Sequence, residues 1–379
     1  MGKIALNYIY LSEKHAGGKD QAGLNLLKGF YENGQSGQFF AICFSYSEKI
    51  LRELAPDMEI ISIPGGRASN ELTRMAKICW TNTFRIPQIL RQKKASAVYH
   101  LNCNNGLRKM PVPSAAVPYD IKAVAHRVLA NVKIPFYKYW LYRILYRMDF
   151  SHADRIVAIS QVDQKEIGTF YPQYRKKIHK IYIPVDCPLP EGEAAEKKNI
   201  HALNLQFHHK NIITLVRAFE KIQGQTDQDL ILMGRVPERV QYLKEYVKQH
   251  QLEKRVHFTG FLPEEQVQQQ MHSSRLYVNP TLYEGFGMTA VEAMIQRVPT
   301  LLSGIPTNRE VTGGLCRYYE PPEDVDALAQ ALLDCLQNPP AAEELQKASQ
   351  YLYERYHYRR ISQECGEFLR QLGEEKRES

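Results

Sequence analysis

The chain has no apolar run near the ~18 residues that would suggest a membrane-spanning helix. That excludes an integral helical membrane protein as the first reading. Its seven cysteines are scattered, odd in number and without a Cys-x-x-Cys spacing. A structural zinc site and a disulfide framework are therefore both unsupported, and the cytoplasm is the expected compartment. No Gly-x-Gly-x-x-Gly follows the first strand-like run, so a nicotinamide dinucleotide gains no support. The opening residues, Met1 to Tyr10, carry polar side chains and no cleavage pattern, so no secretory signal is expected. No nucleic-acid recognition module is evident either.

The 379 residues fit two α/β domains. With 44% hydrophobic and 24% charged residues, the chain can bury a substantial core and still present an ordinary polar surface. Charge is unevenly divided. Residues 1–180 hold 27 Lys and Arg against 13 Asp and Glu, whereas the remainder holds 22 against 28. A basic half beside an acidic one implies a surface that meets anions, such as phospholipid or a lipid diphosphate.

Strand-like apolar runs recur at 3–10, 38–44, 59–63, 97–101, 115–118 and 154–160, with helical stretches between them, notably around 69–93. The alternation predicts mostly parallel, doubly wound sheets, with ligands bound beyond the carboxyl ends of the strands. His100, Asn102, Asn104, Asn105, Tyr119 and Asp120 then collect at one end of the first sheet. His100 reads equally as a satisfied core histidine. The Pro-rich, charged stretch from Pro188 through Lys198 is the expected linker. It sets domains at 1–185 and 186–351, with the last helix crossing back to the first domain over about residues 352–379.

One stretch carries most of the chemistry: Asn279-Pro-Thr-Leu-Tyr-Glu284-Gly-Phe-Gly-Met-Thr-Ala-Val-Glu292-Ala-Met-Ile. A short β-type run ends at Pro280. Gly285 and Gly287 permit a tight turn, and helical composition begins near Thr289. A strand, a glycine loop and a helix start seat an anion, because amides and the helix dipole point at it. Glu284 and Glu292 stand within Tyr-Glu-Gly-Phe-Gly and Val-Glu-Ala-Met, followed by Val298-Pro299. This resembles the Glu-x7-Glu signature of family 4 retaining glycosyltransferases.

That resemblance implies the GT-B fold: two doubly wound Rossmann-like domains facing a central cleft, the first taking the acceptor and the second the nucleotide sugar. It implies that Glu284 and the backbone of Gly285, Phe286 and Gly287 hold the donor sugar and phosphates, and that Glu292 holds the ribose. Lys210 matches the family's diphosphate-clamping lysine. The family's Gly-Arg pair falls on Asn204 and Leu205, so half of that clamp is missing; His208, His209 and Arg235 are the candidates to compensate. Gly17 and Gly18 match the glycine-rich loop facing the donor, with Lys19 and Asp20 beside the acceptor. Tyr119-Asp120 stands where the family often has His-Asp, which makes Asp120 a catalytic candidate with Glu284 and Lys210, and Tyr119 and His100 acceptor-side candidates. Phe261 and Leu262 resemble the base-contacting loop. Asp227-Gln-Asp229 is a formal Asp-x-Asp but precedes a strand, so no metal is expected.

The implied reaction moves a sugar from a UDP-, GDP- or ADP-sugar to an acceptor hydroxyl, with retention and with no permanently bound cofactor. Bacterial surface polysaccharide assembly on a lipid carrier is the leading setting. An epimerase, a soluble disaccharide synthase and a degenerate partner subunit stay open.

Residues 133–150 add a further expectation. On a helix, Tyr137, Leu141, Ile144, Leu145 and Met148 form one apolar stripe directed at the core. The other side offers Phe136, Tyr139, Trp140, Arg143 and Arg147, which suits the inner face of a membrane.

Overall fold

The computed structural model describes residues 2–13, 17–65, 71–103, 105–129, 135–192 and 197–374. Asn104 and the first two residues of the 133–150 segment lie outside these. The chain forms two compact units, Met1–Asp186 with Tyr356–Ser379, and Cys187–Arg355.

The first unit is built on seven strands: β1 (Ile4–Asn7), β2 (Phe39–Phe44), β3 (Glu59–Ile63), β4 (Ala97–His100), β5 (Ser114–Ala116), β6 (Arg155–Ala158) and β7 (Ile178–Lys180). They lie in the order β3-β2-β1-β4-β5-β6-β7, every pair parallel. Parallel neighbours need crossover connections, and helices supply most of them. Central strands are therefore covered on both faces and read as unbroken apolar runs; β2 is buried at all six positions.

The 69–93 region is interrupted. Helix Glu71–Trp80 passes into a five-residue π-turn, Thr81–Arg85, and then helix Ile86–Gln92. Pro87 explains the widening: it has no N–H, and its ring would strike the carbonyl of Thr83 in a regular helix.

The second unit carries β8 (Lys198–Leu203), β9 (Leu230–Met233), β10 (Val256–Gly260), β11 (Ser274–Asn279), β12 (Thr300–Ser303) and β13 (Arg317–Tyr319). Their order is β10-β9-β8-β11-β12-β13, again all parallel. Helix Ile212–Ile222 buries Ile212, Leu215, Val216, Phe219 and Ile222. They join Ile200, Leu232, Leu276, Leu301, Leu328 and Leu332 in one core cluster. Both units are α/β with open parallel sheets. In each the strand order reverses once, between β1 and β4 and between β8 and β11, and such reversals leave a crevice at the carboxyl ends of the strands.

The expected single last helix is two, Ala342–Tyr356 and Tyr358–Glu374. The break has a local cause. Val185 donates its N–H to the Tyr356 carbonyl at 2.8 Å and accepts from Tyr358 N–H at 3.1 Å, so His357 lies in a parallel bridge rather than in the helix. Helix Tyr358–Glu374 then packs on helix Gly18–Glu32 so closely that a Cβ on Gly29 would stand 2.1 Å from Ser362 Oγ and 2.8 Å from the Tyr358 carbonyl. In an open helix Gly→Ala gains up to about 1 kcal/mol. At Gly29 overpacking of about 1–3 kcal/mol opposes that gain. Gly29→Ala is predicted to lower the thermal midpoint by a few degrees, and a raised midpoint in calorimetry would contradict this packing.

Candidate functional site

The second unit gathers its polar residues at the β8–β11 reversal. β8 leads to a 3-10 turn, His208–Lys210, and β11 leads to the loop that carries Glu284. These loops are tied together: Leu282 N–H donates to the His209 carbonyl at 2.8 Å, and Thr281 Oγ1 to the same oxygen at 3.1 Å. Across this junction Lys210 Nζ forms an ion pair with Glu284 Oε1. Their side chains are only 12% and 11% exposed. Asn279 Nδ2 donates to the same Oε1 at 3.3 Å.

Gly287, with φ 91°, ends the loop and starts helix Met288–Ile295 without a side-chain cap. Few non-glycine residues adopt that backbone. An uncapped first turn leaves amide N–H groups and the positive end of the dipole for an anion. Glu292 sits on this helix, partly buried. It flanks Tyr277, whose hydroxyl donates to Thr289 Oγ1 at 3.0 Å. Burial first, then the Glu284 and Glu292 carboxylates, push the Tyr277 phenol up. The two glutamates thus share one neighbourhood. Phe286 is buried at 3% exposure, so its backbone is the part a ligand can meet. Gly285 lies in the same turn.

Phe261, in the loop after β10, is 62% exposed, with the Arg235 guanidinium 4.8 Å from its ring centre. Leu262 packs on the cluster of Met233, Met271 and Tyr277, so its side chain faces inward. Leu205, at the position of the missing clamp arginine, is 1% exposed and belongs to the core. Asp229 ends the Asp-x-Asp just before β9, and its oxygens pair with Arg255 Nε at 2.7 Å and His257 Nε2 at 2.8 Å.

In the first unit the β1–β4 reversal is spanned by amides and an imidazole. Asn7 Oδ1 accepts from Ile9 N–H at 3.3 Å, which turns Nδ2 toward Asn82 Oδ1 and His100 Nδ1, each at 2.8 Å. His100 Nδ1 is therefore an acceptor and its proton resides on Nε2. His100 is 2% exposed, and among the described residues Nε2 has no partner, nor has Nδ2 of buried Asn105. A buried donor left unpaired costs about 1–3 kcal/mol. His100 is a buried histidine satisfied on one nitrogen and, among the described residues, without a partner on the other. Asn82 lies on the π-turn, a feature common at functional sites.

The remaining first-unit candidates are engaged in structure. Gly17, φ 114°, starts helix Gly18–Glu32, and a Cβ there would meet open space. Lys19 is exposed, with Nζ 5.6 Å from the Tyr119 ring centre. Tyr119, an acceptor-side candidate, is buried, and its hydroxyl donates to the Lys19 carbonyl at 3.3 Å. Asp20 accepts from Ser12 N–H at 3.0 Å and from the Ser12 hydroxyl. Asp120 accepts from Lys122 N–H at 3.0 Å, which caps the start of helix Lys122–Leu129.

The helix expectation for 133–150 is corrected. Helix Phe136–His152 forms, but Tyr137, Leu141 and Ile144, expected in the core, are exposed. The inward side runs instead through half-buried Tyr146 and buried Asp149 and Phe150. The Tyr146 hydroxyl donates to the Asp120 carbonyl at 3.2 Å, and Asp149 accepts from Asn105 N–H at 2.9 Å. Periodicity locates an apolar stripe without deciding which side the fold covers.

Comparison with known proteins fits these features. Residues 191–354 match the Glycosyl transferases group 1 family. A 131-residue stretch is 31% identical to O-antigen chain mannosyltransferase B of Escherichia coli, covering 34% of each chain. Over 230 residues the chain is 25% identical to the O-antigen chain mannosyltransferase RfbU of Salmonella typhimurium, covering 60% of this chain and 63% of that one. The chain thus spans less than two thirds of either relative. Among solved structures, Anabaena HepE in complex with UDP and glucose superposes with TM-score 0.70 at 17% identity, covering 98% of this chain and 100% of that one. WaaG, a glycosyltransferase of lipopolysaccharide biosynthesis, superposes with TM-score 0.69 at 15% identity, covering 97% and 99%. The fold is that of the GT-B glycosyltransferases.

Burial holds the His100 pKa down at about 3, against an ordinary value near 6.5. Between those values the unfolded chain binds a proton that the folded chain does not. The histidine's contribution to stability is therefore complete above pH ~6.5 and lost, at about 1.4 kcal/mol per pH unit, as pH falls toward the folded value. His100→Gln is predicted to flatten the acid limb of the melting-temperature profile between pH 6 and 4. NMR should show an unchanging Nε2–H tautomer over that range; an imidazole titrating near pH 6 would refute the assignment.

Proposed function

We propose that the protein is a retaining glycosyltransferase that moves a hexosyl group from a nucleoside diphosphate to an acceptor hydroxyl in bacterial surface polysaccharide assembly. One observation carries this reading: the nearly enclosed Lys210–Glu284 pair at the β8–β11 reversal, beside the uncapped start of the helix that bears Glu292. Lys210 and the first-turn amides would hold the diphosphate, whose charge grows as the glycosidic bond breaks. Glu284, with the backbone of Gly285, Phe286 and Gly287, would hold the sugar, and Glu292 the ribose. The exposed Phe261 ring and Arg235 offer a stacking surface for the base.

In this reading no protein nucleophile acts. The departing phosphate oxygen accepts the acceptor's proton on the face it leaves, and the bond to the anomeric carbon re-forms on that same face. Lys19, His100 and Asp120 lie at the carboxyl ends of the first sheet, on the acceptor side of the proposal. The Nε2–H of His100 is a neutral donor for an acceptor oxygen. The relatives' names, O-antigen chain mannosyltransferases, support a mannosyl donor and a saccharide acceptor; in our reading that acceptor is carried on a lipid at the inner face of the membrane.

A thermal-shift panel of UDP-, GDP- and ADP-sugars tests the donor. One nucleotide should raise the midpoint through mass-action binding. Glu292→Ala should abolish that shift, and a full shift in the variant would refute the ribose assignment. Lys210→Ala should lower kcat by about 100-fold or more, the scale for removing one donor from a developing anion. Unchanged kcat in a folded variant would remove Lys210 from the mechanism.

A further inference from the structure

The outward side of helix Phe136–His152 carries five large apolar side chains: Phe136 is 66% exposed, Tyr137 67%, Trp140 44%, Leu141 52% and Ile144 60%. At 3.6 residues per turn these occupy one arc of about 140°. Arg143 lies just outside one edge of the arc and Arg147 just inside it, and Lys138 lies beyond the other edge. Arg143 rests over the Trp140 ring at 5.6 Å and donates to the Tyr139 hydroxyl at 2.8 Å. From Phe136 to Met148 the sequence holds no Asp or Glu, and the next residue, Asp149, is buried at 3% exposure.

We propose that this face of helix Phe136–His152 docks the protein on an anionic lipid surface, with its axis in the plane of the headgroups. The aromatic and aliphatic bodies enter the acyl boundary, while the bordering cations meet lipid phosphates. No helix among the described residues is long and apolar enough to cross a membrane, so the contact is peripheral. Charge decides between lipid and a second copy of the chain. A two-fold pairing of this face would bring Arg143 and Arg147 toward their own mates with no carboxylate between them. An anionic bilayer neutralises the same cations. The proposed face keeps Phe136, Trp140, Arg143 and Arg147 from the side expected to meet the membrane and adds Tyr137, Leu141 and Ile144 from the stripe expected in the core.

Flotation with vesicles of phosphatidylcholine and phosphatidylglycerol in equal parts, compared with phosphatidylcholine alone, is the direct test. The full chain should float with the anionic vesicles and much less with the neutral ones. The double substitution Leu141→Glu with Ile144→Glu should weaken binding by more than about tenfold at an unchanged melting temperature. Arg143→Gln and Arg147→Gln, which leave the apolar side chains in place, should each weaken it by about fivefold. The chain has two tryptophans, so Trp80→Phe leaves Trp140 to report a blue shift on binding. Absence of flotation, or full binding by both the glutamate and the glutamine variants, overturns the proposal. A concentration-dependent dimer that the glutamate variant dissolves assigns the face to a second copy and overturns it as well. No nucleotide sugar enters these measurements, so their failure leaves the transferase reading standing.

Discussion

The ion pair between Lys210 and Glu284 is the constraint around which the second unit's site is arranged. Removing two charges from water is costly, and their attraction compensates only when the geometry is good and the remaining lone pairs are met. Asn279 meets one of them, and the His209 carbonyl fixes the spacing of the two loops by accepting from both Thr281 and Leu282. A buried ion pair is weak evidence for stability, since an apolar pair of similar volume often serves as well. Its place at the strand-order reversal gives it another significance. There the loops after β8 and β11 part to opposite faces of the sheet, and a ligand can reach backbone amides on both sides.

The first unit meets the same topological problem with neutral groups. At the β1–β4 reversal, Asn7 bridges to His100 and to Asn82 on the π-turn. Strand ends at a reversal lack a neighbouring loop on one side, so their polar side chains must satisfy one another or await a ligand. Asn7 is fully engaged, whereas among the described residues His100 keeps an unpaired donor. In the proposed reading the second unit's arrangement receives an anion, and the first unit's presents a neutral N–H to a hydroxyl or phosphate oxygen. This division matches a donor that carries charge and an acceptor that supplies an alcohol.

What could be read from sequence was local. The parallel strands announced themselves as apolar runs, and Glu284 and Glu292 stood in one short motif. The Asn7–His100–Asn82 contacts join residues 93 and 75 positions apart, and no spacing rule reaches that far. The break at His357 needed Val185, far upstream, to claim the backbone groups of a helix that reads as continuous. Helix Phe136–His152 failed differently. Its pattern was amphipathic as expected, yet Tyr146 and Asp149 turned inward toward the hydrogen-bond partners offered by Asp120 and Asn105, and Phe150 toward the rings of Tyr171 and Tyr174. Periodicity measures the width of a stripe, and only tertiary partners determine its direction.

The missing clamp residue is best understood through burial. Leu205 is not an arginine position stripped of its charge at the surface of the site; it is a wall of the core, 1% exposed among Ile200, Leu215 and Phe219. A guanidinium there would have to leave that core or be desolvated within it, at a cost of several kcal/mol. Charge stabilisation in the proposed reaction therefore falls on Lys210 and on the helix that begins at Gly287, whose dipole contributes roughly half a charge at its amino end. Arg235 is exposed and already rests on Phe261, so it is placed to reinforce binding of a flat base rather than to replace a buried clamp. In the proposed reaction Lys210 is the one lysine assigned to the diphosphate, so its pairing with Glu284 becomes more consequential. In this reading a phosphate oxygen that enters competes with the carboxylate for the Lys210 donors, which frees Glu284 to accept from a sugar hydroxyl. The same exchange that seats the leaving group would thus prepare the grip on the group being transferred.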